Sequence, residues 1–268
     1  MKCGGAKKWH GGLHRDRIFA RAVHGGDHRA TLVECCVSFG FAMDGRKVDW
    51  FFFDPNTDWS ESVRNLPHRD QTGALTFVTF RLADSMPKPV VTQWHSNIAQ
   101  WLQERGLGGK SVEDVLDSAD VVCSVKQELR KFKYSKWHGH LDDCHGQCLL
   151  RKPELAAEVG NSLLHFDDQR YDIERFIVMP NHVHVLIQMR SGFDLRKQFR
   201  EIQRFSARQI NQLSGSSGDL WQGEPFDHVV RSEVQFLYLQ KYICDNPVKG
   251  RVPAGEFLYW ELGMPRLN

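Results

Sequence analysis

Two histidines that flank a single valine, His182 and His184, are the first residues whose type and spacing could support chemistry. They lie in FIVMPNHVHVLIQM, residues 176–189, where two apolar runs flank Pro180-Asn181. This pattern predicts two strands joined by a tight turn. Because side chains alternate faces along a strand, both imidazoles would point the same way. Two imidazoles on one rigid face form half of a metal site, although an isolated pair is more often a solvated strand face.

A late helix adds a second group of polar side chains. The capping-box spacing at Ser232 starts a helix that we expect to end at Asn246, where Pro247 stops it. Tyr238, Tyr242 and Asn246 fall at i, i+4 and i+8, so they lie one above another on a single helix face. Taken alone, such residues indicate an interface or a helix cap.

A row of arginines recurs every four residues along another predicted helix, Asp194 to Leu213. The row consists of Arg196, Arg200, Arg204 and Arg208. Its opposite stripe, which we expect to be buried, consists of Leu195, Phe199, Ile202 and Phe205. Guanidinium groups in such a row suit the tracking of a phosphate backbone, and a solvated helix face explains them equally well.

A short stretch between residues 138 and 148 holds several zinc-type ligands: His138, His140, Cys144, His145 and Cys148. Structural zinc sites usually draw paired ligands from two separated knuckles. These five side chains share one loop and lack C-x-x-C spacing. A polar loop is therefore the preferred interpretation, and a zinc-dependent scaffold remains an alternative.

The remaining elements must position these groups. Residues 74–82 predict a strand, and residues 92–105 predict a helix. The segment 110–148 indicates a helical insertion. A helix begins at Pro153, a strand covers 171–179, and a short strand covers 226–231. We expect residues 1–60 to be a disordered N-terminal extension, 61–253 to be the functional domain, and 254–268 to be a C-terminal tail.

Composition is that of an ordinary globular protein, with 25% charged and 41% hydrophobic residues in 268. The formal net charge of +2 is too small to imply a polyanionic partner by itself. No run reaches the length of a membrane span, and the first residues lack the apolar core of a signal peptide. Seven cysteines without a regular framework indicate reduced thiols, so we expect a cytoplasmic protein with no membrane partner.

Several motifs, in this order, resemble one family. R-N-L-P-H at 64–68, F-V-T-F-R-L-A-D-S at 77–85 and L-L-H-F-D-D-Q-R-Y precede M-P-N-H-V-H-V-L-I, and F-D-H-V-V-R and K-Y-I-C-D-N-P-V-K follow it. Over about residues 62–252 the chain is similar to the REP-associated tyrosine transposases, single-tyrosine HUH transposases that act on single-stranded DNA.

The resemblance implies an α+β fold, a ferredoxin-like antiparallel sheet with helices packed on it. It also implies that His182 and His184 are metal ligands, that Asn246 completes the metal shell, and that Tyr242 is the nucleophile. The ion would be Mg²⁺ or Mn²⁺, and the partner single-stranded or hairpin DNA rather than a small-molecule substrate. His228 and Arg231 would contact DNA or support the site. We expect a monomer or a homodimer.

A competing interpretation is a non-catalytic module that binds single-stranded nucleic acid on the same fold. Such modules stack bases on exposed aromatic side chains beside a basic groove. They have no need for an H-x-H aligned with a tyrosine helix. A hydrolytic nuclease is disfavoured because the sequence shows no cluster of carboxylates to hold two metals.

Overall fold

A five-stranded antiparallel sheet carries the fold in this computed structural model, which describes residues 46–63, 67–142 and 144–267. In chain order the elements are β1 (Ser60–Val63), β2 (Pro67–Asp70), β3 (Leu75–Arg81), α1 (Lys88–Gln103), α2 (Val112–Asp117), α3 (Cys123–Asp142), a 3₁₀ turn (Leu149–Arg151), α4 (Pro153–Leu164), β4 (Tyr171–Val178), β5 (His182–Met189), α5 (Leu195–Ser214), β6 (Phe226–Val229), α6 (Glu233–Lys249) and β7 (Leu258–Glu261). β1 and β2 form a separate hairpin.

The sheet order is β6-β3-β5-β4-β7, with every neighbouring pair antiparallel. The first four positions reproduce a ferredoxin-like arrangement, because helical crossovers separate β3 from β4 and β5 from β6. The α+β class and the predicted order of strand, helix, strand, strand, helix, strand, helix are therefore confirmed. The strand β5 lies at the centre, and all eight of its residues are buried.

Each face of the sheet has its own core. On one face the odd-numbered residues of β5 pack with α4 and α5, in a cluster that includes Val183, Val185 and Phe199. On the other face Leu186 and Phe77 pack with the apolar side of α6, including Phe236 and Ile243. The alternation along β5 thus places the two predicted ligands on one side of the sheet and Val183, Val185 and Ile187 on the other, as the sequence pattern predicted.

The insertion predicted at residues 110–148 is helical and has a small core of its own. Its helices α2 and α3 pack with α1 around Ile98, Trp101, Leu102, Val115 and Leu129. The helix α1 begins four residues earlier than predicted, because Pro89 is accommodated in its first turn.

Most of the predicted N-terminal extension lies outside the described residues, but its last part packs on the sheet. Trp50 is buried in the α6-side core. The backbone N–H of Phe51 donates to the side chain of Gln188 at 2.8 Å, and the N–H of Phe53 donates to the carbonyl of Val230 at 2.8 Å. Residues 46–53 thus belong to the folded body even though they form no regular element.

Three local expectations were wrong. The tail beyond residue 254 contains β7, which pairs with β4. The helix α6 continues through Pro247 to Lys249, because a proline in the last turn removes only one helical N–H. Phe205 is 43% exposed instead of buried, because it lies off the stripe of α5 that faces the sheet.

Removing the indole that anchors β7 should destabilise the whole domain. Trp260 is 3% exposed, stacks on Phe176 with ring centroids 5.6 Å apart, and donates from Nε1 to the Pro265 carbonyl at 3.0 Å. We expect Trp260→Ala to lower the free energy of unfolding by about 3–5 kcal/mol, measured by denaturant titration. The control is Leu213→Ala at an exposed position, expected within about 0.5 kcal/mol of wild type. Equal small effects would mean that the tail is not part of the core.

Candidate active site

The pairing of β3 with β5 fixes the position of both histidines. In this register His184 lies opposite Thr79, and His182 lies opposite Arg81. Directly opposed residues of an antiparallel pair share a face, so all four side chains lie on the α6 side of the sheet. His182 and His184 are 1% and 0% exposed, and their ring centroids are 4.7 Å apart. The solvated strand face considered from sequence is therefore wrong.

Both imidazoles are held through the same nitrogen. His182 Nδ1 lies 2.7 Å from Asn181 Oδ1, and His184 Nδ1 lies 2.7 Å from Thr79 Oγ1. An amide oxygen only accepts, so His182 carries its proton on Nδ1 and its lone pair on Nε2. The threonine hydroxyl can accept in the same way. Such contacts to a second nitrogen are how metal-binding histidines are commonly oriented, with Nε2 left as the ligand atom.

The phenol of Tyr242 lies against this pair. Its hydroxyl is 3.5 Å from His184 Nε2, a long contact, and the two rings meet edge to face with centroids 5.2 Å apart. The side chain of Phe77 on β3 points toward α6, with its ring centroid 5.3 Å from that of His184 and 6.1 Å from that of Tyr242. Apolar packing of α6 thus sets the distance between the phenol and the imidazoles. Tyr242 is 6% exposed.

Asn246 lies one turn further along α6 and is fully buried. Neither Oδ1 nor Nδ2 of its amide has a hydrogen-bond partner among the described residues. A buried amide without partners costs about 1–3 kcal/mol, so such a group is expected to bind a ligand. With two imidazoles whose Nε2 lone pairs lie on the same side of the sheet, this amide fits a site for a divalent cation with open coordination positions.

Arg81 and His228 border the site. Arg81 is 8% exposed, and its guanidinium donates to Ser85 Oγ at 2.8 Å; burial lowers its pKa to about 10. His228 lies opposite Phe77 on β6, with ring centroids 5.3 Å apart. Burial, and then the nearby charge of Arg231, lower the pKa of His228 to about 4, so it is neutral at physiological pH. Arg231 itself is exposed at the start of α6.

The arginine row does not share this face. The helix α5 packs through Leu195, Phe199 and Ile202 on the side of the sheet that α4 covers, away from Tyr242. Arg200, Arg204 and Arg208 are exposed on its outer surface, and Arg196 is half-buried. The structure therefore places His228 on the same face of the sheet as the predicted ligands, against Phe77, and it leaves the arginine row on the opposite face.

The stretch rich in cysteine and histidine does not form one loop as expected, because His138 and His140 lie in the last turns of α3. Cys144, His145 and Cys148 follow in a turn, where the His145 carbonyl accepts from Asn181 Nδ2 at 3.4 Å. Cys148 donates from its thiol to the Cys144 carbonyl at 2.9 Å, and the rings of His140 and His145 are 6.4 Å apart. The Cys148 thiol, followed by the charge of Arg151, lowers the pKa of Cys144 to about 7. Among the described residues no three His, Cys, Asp or Glu side chains are grouped as a metal site, and the side chain of His138 lies outside that description.

Sequence reasoning missed two residues that orient the predicted ligands, Thr79 and Asn181, and one that borders them, Arg81. Thr79, Arg81 and Asn181 were read only as parts of strand and turn patterns. Alternation along β3 places Thr79 and Arg81 on one face, but nothing in the sequence states which residue of β5 each one opposes.

Within the described ranges, no helix has the length and apolar character needed to cross a membrane.

The known proteins similar to this chain include a curated relative and a solved structure. An uncharacterized protein of Haemophilus influenzae is 29% identical over 97 residues, which span 28% of this chain and 54% of that protein. The chain thus covers only about half of this relative's length. A solved structure of a REP-associated tyrosine transposase bound to a REP hairpin is 18% identical, covers 71% of this chain and 73% of its own, and has a TM-score of 0.34.

A family model described as IS200-like transposase matches residues 159–246. The match begins within α4 and ends at Asn246, so it includes both histidines and Tyr242. Over these residues, which hold the site described above, the chain is similar to the IS200-like transposases.

Proposed function

We propose that this protein is a REP-associated tyrosine transposase that nicks single-stranded DNA beside hairpin-forming repeats and rejoins the ends. The observation that carries the proposal is the 3.5 Å contact between the Tyr242 hydroxyl and Nε2 of His184. Next to this pair lie His182 and the amide of Asn246, which has no hydrogen-bond partner in the described part of the chain. The family match over the same residues and the motif resemblance from 62 to 252 support it.

The metal would be held by Nε2 of His182, Nε2 of His184 and Oδ1 of Asn246. The oxygen ligands of such a site, namely the amide of Asn246, the DNA phosphate and water, are of the kind that Mg²⁺ and Mn²⁺ prefer, and of these two ions Mn²⁺ is the better match to the paired imidazoles. A divalent cation bound there would polarise the scissile phosphate and neutralise charge that develops on its oxygens. The protein itself orients the reacting groups, because Asn181 and Thr79 fix the two imidazoles and α6 positions the phenol.

In the cleavage step, Tyr242 Oη forms a bond to phosphorus, and the bond from phosphorus to the 3′ oxygen breaks. The products are a 5′-phosphotyrosine and a free 3′-hydroxyl, so the phenol loses the proton that the departing oxygen gains. One phosphodiester replaces another, and a second 3′-hydroxyl can therefore reverse the step without ATP. A phenol with an unperturbed pKa of about 10 is a weak nucleophile, which is why charge on the phosphate must be neutralised.

Replacing the nucleophile should abolish the covalent intermediate. We expect Tyr242→Phe to lose the protein–DNA adduct and to cut at least about a thousandfold more slowly, because phenylalanine has no oxygen that could attack phosphorus. The substrate is a hairpin oligonucleotide with single-stranded arms, copied from the palindromic repeats nearest the gene, and adducts are counted on denaturing gels.

The matched control is Tyr238→Phe, one turn earlier on α6 and 60% exposed. Tyr238 is the rival nucleophile, and its loss should leave adduct formation intact. Cleavage that survives in Tyr242→Phe would refute the assignment. A wild-type protein that binds the oligonucleotide but never cleaves it would favour the non-catalytic binding module.

Removing the hydroxyl that holds His184 should weaken metal binding. We expect Thr79→Val to raise the Mn²⁺ concentration for half-maximal cleavage by about 10- to 100-fold, with activity recovered at high Mn²⁺. Chelation by EDTA should stop wild-type cleavage. Thr76→Val is the control, since Thr76 is equally buried on β3, three residues away, and does not face the histidines. Identical metal titrations for both variants would show that Thr79 does not orient His184.

Neutralising the arginine row tests whether α5 binds DNA. We expect Arg200→Gln/Arg204→Gln/Arg208→Gln to weaken binding and to reduce the slope of log K against log salt by about 0.7–0.9 for each phosphate that the row no longer binds. Cleavage at saturating DNA should stay unchanged, because the row lies across the sheet from Tyr242. Arg130→Gln on α3, also exposed, is the control. Unchanged affinity and slope in the triple variant would mark the row as a solvated face.

A further inference from the structure

One cation lies next to the phenol on the same helix. The helix α6 presents Tyr238, Tyr242, Asn246 and Lys249 in succession toward one side, since these positions are three or four residues apart. Lys249 Nζ lies 4.8 Å from the centroid of the Tyr242 ring. The side chain is exposed, so its ammonium covers the ring from the solvent side while the imidazoles meet the phenol from the sheet side.

The charge of Lys249 is not neutralised within the described part of the chain. No carboxylate lies within ion-pair distance of its ammonium there, whereas Lys241, on the same helix, lies 2.9 Å from Asp245. A cation in the last turn of a helix is favoured by the helix dipole, but that preference does not require it to lie over a tyrosine ring. The position over Tyr242 therefore needs a second explanation.

On the sheet side, the phenol packs against two aromatic rings of the described residues. Tyr242 contacts His184 and Phe77, and its neighbour on the helix, Asn246, is an uncharged amide. A DNA phosphate brings one negative charge into this nearly buried place, and its desolvation is costly unless cations approach it from more than one side. The exposed arginines of α5 are on the far face of the sheet, so they cannot fill this role. On the near face the buried guanidinium of Arg81 donates to Ser85, whereas Lys249 is an exposed cation that lies directly against the Tyr242 ring.

We infer that Lys249 is a phosphate-binding residue of this site, and that its ammonium contacts the DNA phosphate which Tyr242 attacks. The inference rests on the proposed function. The flexible four-carbon stem and three donors of lysine allow Nζ to move from the ring face to a phosphate oxygen beside the hydroxyl. In the free protein the aromatic face holds the ammonium near that position by a cation–π contact.

The test measures DNA binding separately from cleavage. In the non-cleaving Tyr242→Phe background, the hairpin oligonucleotide is titrated at several salt concentrations with Lys249→Met, Lys249→Arg and Lys241→Met. We expect Lys249→Met to reduce the slope of log K against log salt by about 0.7, the value for one phosphate contact on a single strand. Lys249→Arg should keep the parent slope, and Lys241→Met should leave it unchanged because that lysine is paired.

Single-turnover cleavage with Tyr242 restored provides the second measurement. At saturating DNA, Lys249→Met should cut about 10- to 100-fold more slowly, Lys249→Arg should recover most of the rate, and thermal unfolding should match the parent. The inference would be overturned if Lys249→Met kept the parent's slope of log K against log salt. It would also be overturned if Lys249→Met and Lys241→Met reduced that slope equally. If wild type binds the hairpin without ever forming an adduct, the proposed reaction fails while the salt slopes still decide whether Lys249 contacts a phosphate.

Discussion

Two imidazoles can be buried in the middle of a sheet at low cost only if their ring nitrogens have hydrogen-bond partners. The rest of the site depends on which partners these nitrogens have. His182 and His184 each use Nδ1 for a short contact, one to the residue before it in the β-turn and one to the neighbouring strand. Both rings are thereby fixed with Nε2 directed to the same region. The hydrogen bond that lowers the cost of burial also determines which nitrogen can bind a metal.

The tyrosine helix completes the arrangement by packing and not by polar contacts. Phe236, Leu239 and Ile243 bury one side of α6 against Phe77, Ile177 and Leu186. Tyr242 and Asn246 follow on the same helix at a spacing of one turn, so once the apolar side is docked both reach the histidines together. Two sites of different character result, because the basic row on α5 and the chemistry on α6 occupy opposite faces of one sheet.

Features of the site that depend on residues close together in sequence could be predicted from the sequence, and features that depend on distant residues could not. The H-x-H alternation and the i, i+4 relation of Tyr242 to Asn246 are local, and both are borne out as geometry. The docking of α6 on the histidine face was implied only by the family resemblance, since periodicity does not specify which face of a sheet a helix covers. The partners Thr79 and Arg81 depend on strand register, which joins residues about a hundred positions apart.

The segments that were misjudged lack regular periodicity. Residues 46–53 are held by isolated backbone bonds and by Gln188, and β7 is only four residues long, so neither gives a clear pattern. Pro247 is a strong stop signal that fails because the helix has almost ended there. Phe205 shows the remaining weakness of stripe assignments, because a small rotation of α5 decides whether the fourth apolar residue of the stripe reaches the core.

The separate core of the insertion determines how the insertion is joined to the domain. Its helices α2 and α3 pack with α1 around their own apolar residues, and the loop that follows is seated tightly on the neighbouring turns. The Gln147 N–H donates to Asp84 at 2.7 Å, and a Cβ on Gly146 would lie 2.7 Å from the Asp84 carbonyl oxygen. Substitutions inside the helical insertion should therefore affect mainly the packing of α1, α2 and α3. A side chain added at Gly146 would instead clash with Asp84 and displace the turn that follows β3.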